Sequence, residues 1–407
     1  MSERKDKPHA GSGRRPPTST DTVHAGNVRA RAHHTLTPSI AQTATYTFEN
    51  TATLERYMRG EDPDPEREEY GRYGNPTVRE LELRVAALEG AEDAVAFASG
   101  MAATSTTLLA LLKAGDHVVL FRDCYRRTRQ LVTQTLQRFG IEHSVVDAGD
   151  LVALEAALRP NTRLVVTESP TNPLNFCVDL ERLSAIVKAK GRIRTLVDST
   201  FATPINSTPL GLGIDLALHS ATKYLSGHND VLGGVVAGPS HLISLLRETR
   251  GVVGSVLDPH AAFLIMRGLK TLALRVERQN QSALALAKAL EQHPSVARVH
   301  YPWLESHPSY PIATAQMRGG GAVVSFVVRG GRPAASRVVD AARIPQIAAS
   351  LGGVESLIEQ PAIMSFFELT DDELAKIGID PALIRLSVGI EETADLIEDL
   401  LSALSHA

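Results

Sequence analysis

The sequence predicts an α/β fold: a large domain on a mostly parallel sheet, then a smaller α+β C-terminal domain. Three observations carry that expectation. From about residue 77, short apolar runs alternate with helical stretches of ten to fifteen residues. That is the pattern of right-handed strand–helix–strand crossovers in a sheet covered on both faces. The alternation breaks at DLALHS and VLGGVVAG, two apolar runs with only a short connection, which predicts an antiparallel pair or a topological switch. After Val253 the pattern becomes isolated strands with helices between them. At 407 residues there is room for two or three domains.

Taken in order, residues 1–22 (MSERKDKPHAGSGRRPPTSTDT) are polar, rich in Pro, Gly and Ser, and read as a disordered tail. They lack the apolar stretch of a secretory signal, and Glu3, Asp6 and Asp21 fit an acid-poor transit peptide badly. Residues 23–75 read as an arm and 76–264 as the large domain. TVRELELRVAALEG sets Leu81, Val85 and Leu88 at helical spacing, with Gly90 as a stop. DAVAFAS is a buried strand and 101–112 an apolar helix. HVVLF, YRRTRQLVTQTLQRFG and HSVVD repeat the unit, and LVALEAAL, RLVVTES, DLERLSAIVKAKG and RTLVDST extend it. Residues 261–292 read as one long helix bridging to a C-terminal domain at 265–407. That domain holds the strands ARVHYP, GAVVSFVV and LIRLSVGI and ends in TADLIEDLLSAL.

Composition removes several function classes. Forty-two Lys and Arg stand against 46 Asp and Glu, a net charge of −4. Such a balance leaves no basic footprint for nucleic acid. No apolar run approaches the ~18–20 residues of a membrane-spanning helix. Two cysteines, Cys124 and Cys177, make neither a disulfide framework nor a structural zinc site. A cytoplasmic protein with no metal is expected.

The stretch that carries chemistry runs from Asp198 to Lys223. One apolar strand ends at Asp198; a second ends at Ser220-Ala-Thr222-Lys223. In α/β sheets the carboxyl ends of strands line the ligand crevice. A lysine there can form a Schiff base, its neighbouring hydroxyls can bond a phosphate, and an acid can hold a pyridine nitrogen protonated. Pyridoxal phosphate needs these parts of a protein. Ser-x-Thr-Lys alone is common, and taken by itself a solvated surface lysine accounts for it better.

Ordered blocks go further: YGRYGNPT (70–77), ASGMA (98–102), ESPTNP (168–173), LHSATKY (218–224), SGHNDVLGG (226–234), SLGGVESLI (350–358) and IRLSVGIE (384–391). Together they resemble the Cys/Met-metabolism family of fold-type I pyridoxal-phosphate enzymes, from about Val23 to the C-terminus. DCYRRTR (123–129), FATP (201–204) and EQPAIMSFFEL (359–369) look most like plant-type cystathionine γ-synthases.

The resemblance implies a role for each matching residue. Lys223 would hold pyridoxal 5'-phosphate and shuttle protons, and Asp198 would pair with the ring nitrogen. Tyr125 would stack on the ring and could also move protons, and Asn172 would sit near its phenolic oxygen. Gly100 and Met101, with Ser220 and Thr222, would cup the phosphate at a helix start. Arg385 would clamp the substrate carboxylate beside Ser350. Tyr70 and Arg72 would reach the neighbouring subunit's phosphate and Tyr46 its substrate, which implies a homotetramer made of two active-site dimers. Glu355 would attract the amino end of an incoming cysteine. Small amino acids are then the substrates. The expected reaction is γ-replacement on an activated homoserine with L-cysteine, giving L-cystathionine. The alternatives are γ-elimination and a non-catalytic cofactor-binding protein. Arg126-Arg127, where many bacterial members carry two glycines, offer a receiver for an anionic leaving group or simply face solvent.

Other features invite plainer readings. His33-His34 lack metal-ligand companions, Gly211-Leu-Gly213 does not open a dinucleotide fingerprint, and Cys124 reads as a small packed residue.

Overall fold

The computed structural model describes residues 16–27, 34–64 and 67–407. The predicted alternation builds a seven-stranded sheet from β1 (Asp93–Phe97), β2 (His117–Phe121), β3 (Glu142–Val146), β4 (Thr162–Glu168), β5 (Arg194–Asp198), β6 (Leu216–His219) and β7 (Gly234–Gly238). Its order is β1-β7-β6-β5-β4-β2-β3. The strands from β6 across to β3 run parallel, while β7 is antiparallel to both β6 and β1. The break in the alternation is therefore an antiparallel pair. The link from His219 to Gly234 holds no helix that could carry the chain back across a face.

Helix α1 (Ser19–His24) corrects the expectation of a disordered tail through residue 22. The Asp21 carboxylate accepts the Thr18 N–H at 2.7 Å and its hydroxyl at 2.8 Å, a capping arrangement that fixes the helix start. The rest of that expected tail, residues 1–15, lies outside the described residues. Helix α2 (Thr51–Met58) precedes α3 (Pro76–Glu89), which Asn75 caps; Gly90 ends α3 in the left-handed region, the stop the sequence predicts.

Further helices cover the sheet: α4 (Gly100–Leu111), α5 (Arg126–Gln130), α6 (Leu151–Ala157), α7 (Leu180–Ala189), the short α8 (Thr203–Asn206) and α9 (Ser240–Val253). One apolar core joins α3 residues such as Leu81 to Met266 and Phe326. A second packs Val95, Leu120, Val165 and Leu246.

The long helix expected at 261–292 is two, α10 (Pro259–Leu269) and α11 (Leu272–Glu291). Gly268 presses on the loop after Lys223 so closely that a Cβ there would stand 2.1 Å from the Ser226 carbonyl oxygen. Arg275 then donates to the Gly268 and Tyr224 carbonyls, each at 2.8 Å. The break thus pins the lysine-bearing loop to α11.

The C-terminal sheet contains β8 (Val296–His300), β9 (Val323–Val328), β10 (Gln346–Ile347), β11 (Leu357–Glu359) and β12 (Leu383–Ser387), in the order β10-β11-β12-β9-β8. The helix at Gly331–Ala341 packs on it, and the helix at Thr393–Leu404 packs on that helix and on α11. No helix among the described residues is long and apolar enough to cross a membrane.

Candidate active site

Three parallel strands end side by side: β4 at Glu168, β5 at Asp198 and β6 at His219. Glu168 and Asp198 are direct partners in the β4–β5 register. Thr200 ties these ends together. Its N–H and hydroxyl donate to Asp198 Oδ1 at 3.0 and 2.5 Å, and its oxygen accepts the Ser220 N–H at 2.8 Å. Burial pushes the Asp198 carboxyl up, while the Thr200 bonds and the neighbouring His219 pull it back. A carboxylate held this way, with no cationic side chain bonded to it among the described residues, suits a cation supplied by a ligand.

Lys223 follows on the turn after β6. Its Nζ donates to the Ser350 hydroxyl at 2.6 Å. Burial, then the nearby Arg385 charge, lowers its pKa to about 8, against a smaller pull from Glu359. A larger neutral fraction near pH 8 is what a nucleophilic amine or proton acceptor requires.

Arg385 in β12 is 5% exposed. Nη1 pairs with Glu359 Oε1 at 2.9 Å and bonds Asn172 Oδ1 at 3.2 Å, and Nη2 bonds the Ser350 carbonyl at 2.8 Å. Glu359 stands directly opposite it in the β11–β12 register. The predicted residues Lys223, Ser350, Arg385 and Asn172 therefore form one connected group. Sequence reading missed Glu359 and Thr200. The signal for Glu359 was an acid inside the apolar run SLIE, which needs a buried partner.

The cradle for an anion lies at the start of α4. Ser99 caps the helix, its Oγ taking the Ala102 N–H at 3.0 Å, and α4 begins at Gly100. A Cβ on Gly100 would come 2.8 Å from Ser220 Oγ, so only glycine leaves this approach open. Gly100 and Met101 offer helix N-terminal amides beside the Ser220 hydroxyl. The Thr222 hydroxyl is engaged by the Gly233 N–H at 3.0 Å.

Tyr125 immediately precedes α5, its side chain 44% exposed and its N–H donating to Glu168 Oε2 at 2.8 Å. Behind it, burial drives the Cys124 thiol well above its usual range, in keeping with a packed residue. Arg126 pairs with Glu368 at 3.2 Å and Arg127 bonds Gln130 at 2.6 Å. Both border a cavity of about 250 Å³ that also meets Tyr125, Asn172 and Phe366.

The remaining predicted residues sit in other contacts. Asn75 Nδ2 donates to the Tyr46 hydroxyl at 3.3 Å, and Thr45 pairs with Tyr70. Arg72 donates to the Gly251 carbonyl at 2.6 Å and lies 4.7 Å from the Tyr73 ring centroid. None of these bonds involves Lys223, Asp198 or Arg385. Glu355 is exposed, its Oε2 taking an Asn229 Nδ2–H at 2.9 Å. His33 lies outside the described residues, and His34 is exposed. The described residues contain no group of three His, Cys, Asp or Glu able to hold a metal ion.

A helix N-terminus with a glycine approach, a buried acid awaiting a cation and a lysine of lowered pKa together fit pyridoxal phosphate. The comparisons agree. The family described as Cys/Met metabolism PLP-dependent enzyme matches residues 19–405. The chain is 47% identical over 385 residues to cystathionine gamma-synthase 1, chloroplastic, of Nicotiana tabacum, covering 94% of this chain and 71% of that protein. It is 41% identical over 387 residues to the L-methionine gamma-lyase of Fusobacterium nucleatum subsp. nucleatum, covering 95% and 97%. The crystal structure of metB from Corynebacterium glutamicum superposes with a TM-score of 0.88 at 37% identity, covering 95% of this chain and 97% of that one.

Proposed function

The chain belongs to the Cys/Met metabolism PLP-dependent enzyme family, and from that premise we propose that it catalyses γ-replacement on an activated homoserine. L-cysteine is the nucleophile and L-cystathionine the product. The similarity that carries this reading is the 47% identity to a plant cystathionine γ-synthase across 94% of the chain.

When bound, pyridoxal phosphate supplies an electron sink for charge developing at the amino-acid Cα. Lys223 holds it, then takes and returns the Cα proton, its lowered pKa making the neutral amine accessible. Ser350 orients the Lys223 Nζ. Arg385 receives the substrate α-carboxylate with a guanidinium already fixed by Glu359, Asn172 and the Ser350 carbonyl. Asp198 would keep the ring nitrogen protonated, and Tyr125 would pack on the ring. Gly100, Met101 and Ser220 hold the phosphate. Arg126 and Arg127, at the cavity beside Tyr125, receive an anionic leaving group.

Tyr46, Tyr70 and Arg72 complete the site of a second copy, so the working unit is a dimer paired into a tetramer. Their lack of bonds to the Lys223 group within one chain supports this. Two buried free thiols, Cys124 and Cys177, suit the cytoplasm.

A second reading, γ-elimination, has its own support. Glu355, expected to attract the incoming amino group, is exposed and held by Asn229. The test is a product screen with acetyl-, succinyl- and phospho-homoserine, each with and without L-cysteine. Cystathionine formed only with cysteine supports replacement. Ammonia and keto acid released equally fast without it overturn replacement in favour of elimination.

A further inference from the structure

One buried acid in the site has no part in the chemistry above. Glu168 ends β4, is 4% exposed and stands opposite Asp198 in the sheet register. Its Oε2 accepts the Tyr125 N–H at 2.8 Å. The charged side chains that act on it, Asp198 and Asp123, are both acids, and among the described residues no cation pairs with it. Burial first, then Asp198, pushes its pKa well above the usual carboxylate range, while the amides of Tyr125 and Asn172 pull it down. Such a group is costly to bury and is retained where an apolar residue would leave amides unsatisfied.

Of these, the Tyr125 amide stands within hydrogen-bond distance and belongs to a site residue. Among the described residues the Tyr125 hydroxyl has no hydrogen-bond partner, and the residue is 44% exposed, so its backbone largely decides where the ring lies. From this geometry we infer that Glu168 is a positioning residue: through the Tyr125 amide it sets the stacking ring relative to β4 and β5. A neutral acceptor of the same length can do the same work, because the contacts are N–H to oxygen. An apolar or shorter side chain cannot.

The inference rests on the cofactor site, not on the choice between replacement and elimination, and its test uses a step common to both. The holoenzyme is incubated with L-norleucine, which has no γ-leaving group, in D2O, and exchange of its α-hydrogen is followed by NMR. Visible circular dichroism of the bound cofactor reads the setting of its ring. Glu168→Leu is expected to slow exchange by ~10- to 100-fold and to diminish the dichroism. Glu168→Gln is expected to restore exchange to within about threefold of wild type. In a Tyr125→Ala background, Glu168→Leu adds less than about a further twofold. Should the Leu variant not fold, Glu168→Asp replaces it: it keeps the acid, falls one methylene short and is expected to behave as Leu. Equal losses in both backgrounds, a Gln variant no better than Leu or Asp, or unchanged dichroism would overturn the inference.

Discussion

Lys223 Nζ donates to the Ser350 hydroxyl across 2.6 Å, joining the lysine loop after β6 to the turn before β11. Ser350 holds a left-handed backbone, φ 87°, and burial with the neighbouring Arg385 charge lowers the Lys223 pKa to about 8. The cofactor-free protein should register that charge. An unfolded lysine keeps its proton up to about pH 10.5, whereas folded Lys223 releases it near 8. Between those values the unfolded chain binds more protons, so rising pH stabilises the folded state. Lys223→Met removes the group, and its stability advantage should be full below pH 8 and shrink toward pH 10.5. Urea titrations of both cofactor-free proteins at pH 7.5 and 10 measure it; a constant gap refutes it. The variant also loses turnover.

Ser350 separates backbone strain from hydroxyl chemistry. Ser350→Gly and Ser350→Ala both remove the Lys223 partner, but only glycine accepts φ 87° without strain. The glycine variant should be the more stable of the two by about 1 kcal/mol. Both should show the same change in the pH profile of Cα-proton exchange. Equal melting temperatures would mean that the turn, not the residue, carries the strain.

Much of this was legible because local patterns coincide with tertiary roles. Alternation located the parallel strands, and strand ends located Asp198 and Lys223. The break between β6 and β7 was visible as two runs with no room for a helix. What escaped depends on long-range register. Glu359 matters because β11 lies against β12, and Glu168 because β4 lies against β5; neither pairing is written in local periodicity. The split between α10 and α11 was hidden for the same reason. Gly268 inside a helical pattern reads as tolerated until its contact with Ser226 is seen. The capping pair Thr18 and Asp21 was readable and was outweighed by the tail's composition.

Arg385 and Glu359 should behave as one unit. Glu359→Leu leaves a buried guanidinium without its counter-ion, a loss of about 3–5 kcal/mol of folding stability, measurable by thermal unfolding. Arg385→Lys keeps the charge but loses the planar fork that meets Glu359, Asn172 and the Ser350 carbonyl. The amino-acid KM should rise about tenfold or more, with a smaller effect on kcat. A KM within about twofold of wild type would remove Arg385 from carboxylate recognition.

Gly100 tests the anion cradle with least disturbance to the fold. Alanine at a helix start is a better helix former than glycine by up to about 1 kcal/mol, so Gly100→Ala should leave the cofactor-free protein folded. Its Cβ, however, would press to 2.8 Å from Ser220 Oγ, and Ser220 is tied to Asp198 through Thr200. The hydroxyl must shift, and the space beside the Gly100 and Met101 amides closes. Affinity for pyridoxal phosphate should fall by about tenfold or more, read by fluorescence titration of the cofactor-free protein. Ser220→Gly in the same chain should recover part of the loss by removing the clash. Undiminished affinity in Gly100→Ala would place the phosphate elsewhere.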